Sequence, residues 1–312
     1  MKLDSADWPT FGWIADVRPA LREAARRRRS VVLGTLTGLS GSAPRPVGTQ
    51  MVFDGAKATG YFSGGCLEAD VANHAAEVLA DGTPRRLVYG EGSPWIDVRL
   101  VCGGRIEILL ERIVPDDPAI AEVLVRTARR QPAWLASDGQ RREAGDQPSG
   151  LVGAAYELRL NPAWQAFIVG GDPIALAIAR LTALSGFETT LFRPLGPLTA
   201  PPLPQVGYCR DALDQAFAPR PIDRWTALVT ATHDDDLDDR ALVHAARSGA
   251  GYAGVLGSTR RIAARRLRLE RAGLSSTQIA AIRTPIGLGR CGKAPWEVAT
   301  SVLAEIMSVR AS

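Results

Sequence analysis

Apolar positions at Ile14, Val17 and Leu21 fall at helical spacing and predict a first helix over about residues 14–29. Residues 31–36 form an apolar, β-branched run that reads as a strand. A stretch of glycine, serine and proline, GLSGSAPRPVGTQM, follows as a loop. Residues 51–53 and 57–62 read as two strands joined by a turn at Asp54-Gly55. A Ser63-Gly64-Gly65-Cys66 loop then leads into a helix over about 67–80. Strands are expected at 86–89 and 105–111, a helix at 118–131, and strands at 133–137 and 154–160. The polar stretch 138–150 reads as an exposed hairpin loop.

The pattern changes in the second half. Residues 166–169 form a short, fully apolar strand that ends in Gly170-Gly171. Ile174, Ile178 and Leu181 mark a helix closed by Gly186, and 188–192 is the next strand. This strand, glycine turn, helix and strand open a Rossmann-like unit. A proline-rich loop covers 194–204. Further strands at 227–230 and 252–256 each run into a helix, and a last helix starts near Pro295. The fold class read from this order is α/β. An N-terminal α/β domain, 1–162, is followed by a Rossmann-like parallel-sheet domain, 163–312.

At 312 residues, with 46% hydrophobic and 22% charged positions, two domains with sizeable cores are expected. No apolar run is long enough to span a membrane. The N-terminus lacks the pattern of a secretory signal, which places the protein in the cytoplasm. The net charge of +4 comes from an arginine-rich composition. The one basic run, 26–29, closes a predicted helix, where cations suit the macrodipole; neither nucleic acid nor a membrane is expected as a partner. The cysteines Cys66, Cys102, Cys209 and Cys291 form no CxxC pair, which excludes a zinc ribbon and a thioredoxin motif.

The chemistry concentrates at YFSGGCLEAD, residues 61–70. Two glycines let the backbone present N–H groups to an anion, and a helix N-terminus favours the thiolate of Cys66. A tight turn beside a small buried cysteine would give the same pattern. Cys102-Gly103-Gly104 repeats the pairing of cysteine and glycines. In the second half the dinucleotide fingerprint is defective. Asp172 stands at its second glycine and brings negative charge towards a phosphate. Phe192-Arg193 replaces the acidic residue that would bind a ribose, although Arg193 suits a 2′-phosphate. The run Thr232-His233-Asp234-Asp235-Asp236-Leu237-Asp238-Asp239 suits a metal, or else helix capping by Asp238 or Asp239 with the other acids solvated. Gly257, Ser258 and Arg260 open a helix and suit a phosphate, or else a simple cap.

Taken together, GSAPRPVGTQM (41–51), SGGCLEADV (63–71), CGGRIEILLE (102–111), THDDDLDDRAL (232–242), GYAGVLGSTRR (251–261) and PIGLG…APWEVATSVLAEI (285–306) resemble the XdhC/CoxI proteins, accessory factors of xanthine dehydrogenase and related molybdenum hydroxylases. The resemblance runs in order along nearly the whole chain. It departs at Asp172, at Phe192-Arg193, and at PIGLGRCGKA, where the family usually shows PIGLDIGA.

The resemblance implies a non-enzymatic chaperone, commonly dimeric, that binds the molybdenum cofactor as plain molybdopterin or a dinucleotide form. It implies support of sulfuration by a cysteine desulfurase and of insertion into a hydroxylase large subunit. Cys66 and Cys102 are then expected at the molybdenum. Ser42, Arg45, Ser63, Gly64, Gly65, Glu68, Gly103, Gly104, His233, Gly257, Ser258 and Arg260 are expected around the rest of the cofactor. Two other readings compete: an NAD(P)-dependent oxidoreductase using the Rossmann-like half, against which the glycine pattern argues, and a partner-binding scaffold without a ligand.

Overall fold

The computed structural model describes residues 10–41, 45–63, 65, 67–90, 104–289 and 291–311. The chain divides into two compact units, Met1–Pro162 and Ala163–Ser312. In the first, a short 3-10 turn, Thr10–Trp13, precedes α1 (Arg18–Arg26), β1 (Val31–Ser40), β2 (Gln50–Phe53), β3 (Ala58–Thr59), α2 (Glu68–Asp81), β4 (Arg85–Gly90), β5 (Arg105–Ile113), α3 (Pro118–Ala128), β6 (Ala133–Ser137), β7 (Arg142–Gly145) and β8 (Tyr156–Leu160). An antiparallel sheet has the order β3-β2-β1-β5-β4, and a small one the order β7-β6-β8. Alternate residues of β1 and β5 face opposite sides. Val32, Ile106, Ile108 and Leu110 pack under α2, whereas Val31, Leu33, Leu109 and Ile113 pack with α1 and α3.

Three expectations for this unit need correction. The first helix begins at Arg18, not near 14, because Asp16 accepts the Arg18 backbone N–H at 3.0 Å and binds its guanidinium, with a proline in the first turn. Ile14 is left half exposed. The strand expected over 57–62 shrinks to Ala58–Thr59, since the backbone beyond it turns to another acceptor, described below. The stretch 138–150 is no plain loop. It contains β7, whose Arg142 reaches the buried Glu111 at 2.8 Å and pairs with Asp117. Glu111 also accepts hydrogen bonds from Tyr156 at 2.9 Å and from Ser137 at 2.5 Å. This buried polar cluster ties the small sheet to the large one, and the Glu111 carboxylate at its centre accepts from three side chains.

The second unit contains β9 (Gln165–Gly170), α4 (Pro173–Leu184), β10 (Glu188–Phe192), β11 (Val206–Cys209), α5 (Leu213–Phe217), β12 (Thr226–Ala231), α6 (Asp235–Ser248), β13 (Tyr252–Val255), α7 (Ile262–Arg271), α8 (Ser276–Ala281) and α9 (Pro295–Ala311). Its sheet is parallel, in the order β11-β10-β9-β12-β13. All six residues of β9 and of β12 are buried, as strands covered on both faces require. Gly170 ends β9 at φ +156°, and a Cβ there would lie 2.4 Å from the Ala231 carbonyl oxygen, so a glycine is required. The strand β11 and the helices α5 and α8 carry too few residues to show a period in the sequence.

The run after β12 folds as a clamp. Asp234 caps α6, accepting from the Asp236 and Leu237 N–H groups; Asp238 and Asp239, the expected caps, do not. Asp238 is buried, accepts the Thr232 hydroxyl at 2.7 Å and meets Arg265 of α7 at 3.2 Å. Arg265, itself buried, also reaches Asp235 at 2.9 Å and Asp239 at 3.0 Å, and Arg268 pairs with Asp239. Removing one member of a buried charge pair leaves the other desolvated and uncompensated. Arg265→Leu is therefore expected to lower stability by about 3–5 kcal/mol in denaturant titration, and exposed Arg266→Leu to change it by less than about 0.5 kcal/mol.

Candidate functional site

The loop before α2 is organised by one carboxylate. Glu68 Oε1 accepts the N–H groups of Phe62 at 2.9 Å and Ser63 at 2.7 Å. Its Oε2 accepts the Ser63 hydroxyl at 2.9 Å, the Gly65 N–H at 2.8 Å and the Leu67 N–H at 3.2 Å. Ser63 Oγ in turn accepts the Leu67 N–H at 3.0 Å. Glu68 is 1% exposed. Burial by itself raises its pKa, but the Ser63 and Phe62 donors outweigh that, so the carboxyl stays below the usual range. This changes two expectations. The N–H groups of Phe62, Ser63, Gly65 and Leu67 do not await an external anion, because they face the protein's own carboxylate. Glu68 accordingly pins the loop rather than contacting a ligand. Buried donors need an acceptor, and a residue opening α2 is the nearest acid in the chain.

Arg45 reaches this loop from the neighbouring one. Its guanidinium lies over the Tyr61 ring, 5.0 Å from the centroid. Its Nε is buried and has no hydrogen-bond partner among the described residues. Tyr61 also packs against Gly12, where a Cβ would come within 3.3 Å of the ring. Beside Gly65, no described atom lies within 4 Å of where a Cβ would stand.

The third approach comes from the β4–β5 hairpin. Ser40 of β1 pairs with Arg105 of β5, and Arg105 pairs with Gly90 of β4. The 41–45 loop and the 91–103 connection therefore leave from the same end of the sheet. Gly90 has φ +88°, and a Cβ there would strike the Gly104 carbonyl oxygen at 1.9 Å, so the hairpin closes only on glycine. Tyr89, fully buried, donates its hydroxyl to Asp70 in the first turn of α2 at 2.6 Å. Burial first, then this bond, pushes the phenol far up, which keeps it a donor. Asp70 and Tyr89 thus fasten the hairpin to the helix that Glu68 opens. The sequence reading missed both; the acid spacing Glu68-Ala69-Asp70 was the available sign.

The structure thus gathers Arg45, Ser63, Gly65, Glu68 and Gly104 at one sheet end. Ser42, Gly64, Cys66, Cys102 and Gly103 lie outside the described residues.

His233, Gly257, Ser258 and Arg260 follow β12 and β13 at the carboxyl edge of the parallel sheet, and all are exposed or half-exposed. Ser258 accepts the Arg260 N–H at 3.3 Å and caps a short 3-10 turn. His233 stands 3.8 Å from Asp172. Asp172 caps α4 by accepting the Ala175 N–H at 2.8 Å, so its charge is directed into its own helix, contrary to the phosphate-facing placement expected. The Arg193 side chain crosses Gly171, where a Cβ would meet it at 2.5 Å. Of the two readings of the acidic run, a metal finds no support: Asp234 caps α6, and Asp235, Asp238 and Asp239 are held by Arg265 and Arg268. No cluster of three or more His, Cys, Asp or Glu suited to a metal occurs among the described residues.

A model of the XdhC and CoxI family matches residues 24–90, and one of the XdhC Rossmann domain matches residues 166–306. Over 303 residues the chain is 33% identical to the molybdenum cofactor insertion chaperone PaoD of Escherichia coli (strain K12), covering 95% of this chain and 89% of that protein. The chain belongs to the XdhC/CoxI family. A crystal structure from Bacillus halodurans, described as a xanthine dehydrogenase, shares the fold at a TM-score of 0.76 and 20% identity, covering 95% of this chain and 96% of that one. Within this XdhC/CoxI chain the N-terminal match includes Arg45 and the Glu68 loop, whereas Cys102-Gly103-Gly104 lies beyond it. No helix among the described residues is long and apolar enough to cross a membrane.

Glu68→Gln would place an amide NH2 against backbone donors, leaving at least one buried N–H unsatisfied. The expected loss is about 2–4 kcal/mol in denaturant titration. The pH dependence has a definite sign. The folded pKa is depressed, so the Glu68 contribution is complete above the usual 4.5 and disappears as pH falls through the lower folded value. The Gln variant should lack that part of the acid limb in melts taken below pH 4.5.

Proposed function

We propose that this protein is a molybdenum cofactor chaperone that holds the cofactor for sulfuration and for insertion into a xanthine dehydrogenase-type hydroxylase. The carrying observation is the convergence of the Arg45 loop, the Glu68-pinned loop and the glycine-closed hairpin at one end of the antiparallel sheet. The name of the E. coli relative supports the same reading.

The residues present fit the group. The cofactor is a phosphorylated anion with soft sulfur ligands. Arg45 has a buried Nε without a partner among the described residues, which suits a phosphate oxygen, and the space beside Gly65 is open. Arg45 binds the phosphate, and Tyr61 keeps the guanidinium in place. Gly64, Gly65, Gly103 and Gly104 allow close backbone approach. Cys66 and Cys102 supply thiolates to the molybdenum. Glu68, Asp70 and Tyr89 orient the loops and do not touch the group. When bound, the cofactor supplies the redox centre of the hydroxylase; the chaperone carries out no turnover of its own. Its partners are a hydroxylase large subunit, a cysteine desulfurase and a second copy of this chain. An NAD(P)-dependent oxidoreductase lacks comparable support, since Arg193 crosses the glycine turn that a pyrophosphate would approach.

Expression in a cofactor-producing host, anaerobic purification, and assay of molybdenum and oxidised-pterin fluorescence test this proposal. Near-stoichiometric pterin is expected in the parent, falling at least tenfold in Cys66→Ala and in Arg45→Ala. Absence of pterin from the parent, even after free cofactor is supplied, would sink the proposed function.

A further inference from the structure

On the sheet face opposite α2, the helices α1 and α3 leave an apolar groove of about 220 Å³. Leu21, Ala24, Val31, Ile113, Ile120 and Leu124 line it. Val114 and Val125 at its rim are 48% and 45% exposed. An apolar, concave surface left open in this way marks an interaction site.

We propose that this groove docks an aliphatic segment edged with carboxylates, presented by the hydroxylase that receives the cofactor. This rests on the chaperone reading above. Charge identifies the partner. Arg29 lines the groove, and Arg26, Arg27 and Arg28 crowd the same end of α1, against Glu23 and Asp116. The helix α3 also ends in arginines: Arg126, paired with Glu122 at 3.5 Å, and then Arg129 and Arg130. The one acid lining the groove, Asp117, is committed to the Ile120 N–H at 2.9 Å and to Arg142. The rim is therefore basic, and it selects an acidic partner. A second copy docked about a two-fold axis would set arginine against arginine. A bilayer is flat and does not fill a concave groove, whereas aliphatic side chains on a protein segment do.

Position suits a receiving enzyme as well. The groove opens where Val31 pairs with Ile113, and the candidate cofactor loops leave where Ser40 pairs with Arg105. Along a nine-residue strand those ends are about 26 Å apart. A partner seated in the groove leaves the loops uncovered, so cofactor and partner are held together without competing.

The test uses the full chain, loaded with cofactor, and the cofactor-free molybdenum hydroxylase purified from the same organism, with binding followed by biolayer interferometry. The variants are Val125→Glu, Ala121→Glu and Arg29→Glu, with Val152→Glu, 88% exposed on another loop, as control. The expected result is at least tenfold weaker binding for the three groove variants, parental binding for the control, parental pterin content throughout, and parental affinity falling as salt rises. Parental binding by Val125→Glu and Arg29→Glu overturns the proposal, as does a parent that does not bind the hydroxylase. Conversion of a parental dimer to a monomer by Val125→Glu, with hydroxylase binding intact, overturns it in favour of a second copy. Binding to anionic phosphatidylserine vesicles that these variants abolish, with hydroxylase binding intact, overturns it in favour of a membrane. A parent without pterin that still loses hydroxylase binding in the groove variants removes the cofactor reading and leaves the docking surface standing.

Discussion

The N-terminal unit depends on a carboxylate that faces inward. Glu68 opens α2 and turns back on the loop that precedes it, where Phe62, Ser63, Gly65 and Leu67 direct their N–H groups at its two oxygens. Without that acceptor the Phe62 N–H would be buried and unpaired, and the Ser63 and Gly65 donors would lose the group that fixes the loop. Satisfied locally, the loop becomes a fixed platform.

The antiparallel topology turns this platform into a site. The strands β1, β5 and β4 are neighbours, so the connections leaving Ser40, Gly90 and Gly104 start side by side although they are far apart in the chain. The Asp70–Tyr89 bond joins the hairpin to α2, and Arg45 comes down on Tyr61 from the third connection. The opposite end of the same strands carries the groove between α1 and α3. One sheet therefore carries the converging loops at one end and the apolar groove at the other.

The Rossmann-like unit has taken a different course at its carboxyl edge. Asp172 caps its own helix, and Arg193 lies across Gly171. In the acidic run after β12, Asp235, Asp238 and Asp239 are paired with Arg265 and Arg268. These are stabilising uses of residue types that elsewhere bind ligands. Polar groups at a sheet edge serve whichever partner is nearest, and here the partners belong to the chain.

Periodicity alone located the helices under α2, α4 and α9 and the fully buried strands β9 and β12, because long amphipathic or wholly apolar runs allow only one register. The glycine and cysteine motifs in order along the chain were enough to recognise the XdhC/CoxI family. The short elements β7, β11, α5 and α8 were not legible, being too brief to repeat a period. The roles of the acids were not legible either. Glu68, Asp172 and Asp238 read as ligand contacts, a phosphate repellent and a cap, whereas the fold makes them a loop pin, a helix cap and a buried counter-ion to Arg265. A sequence states that a carboxylate is present. Which donor it meets is decided by the strands and helices that bring distant backbone N–H groups and guanidinium groups within 3 Å of it, and that choice belongs to the tertiary structure.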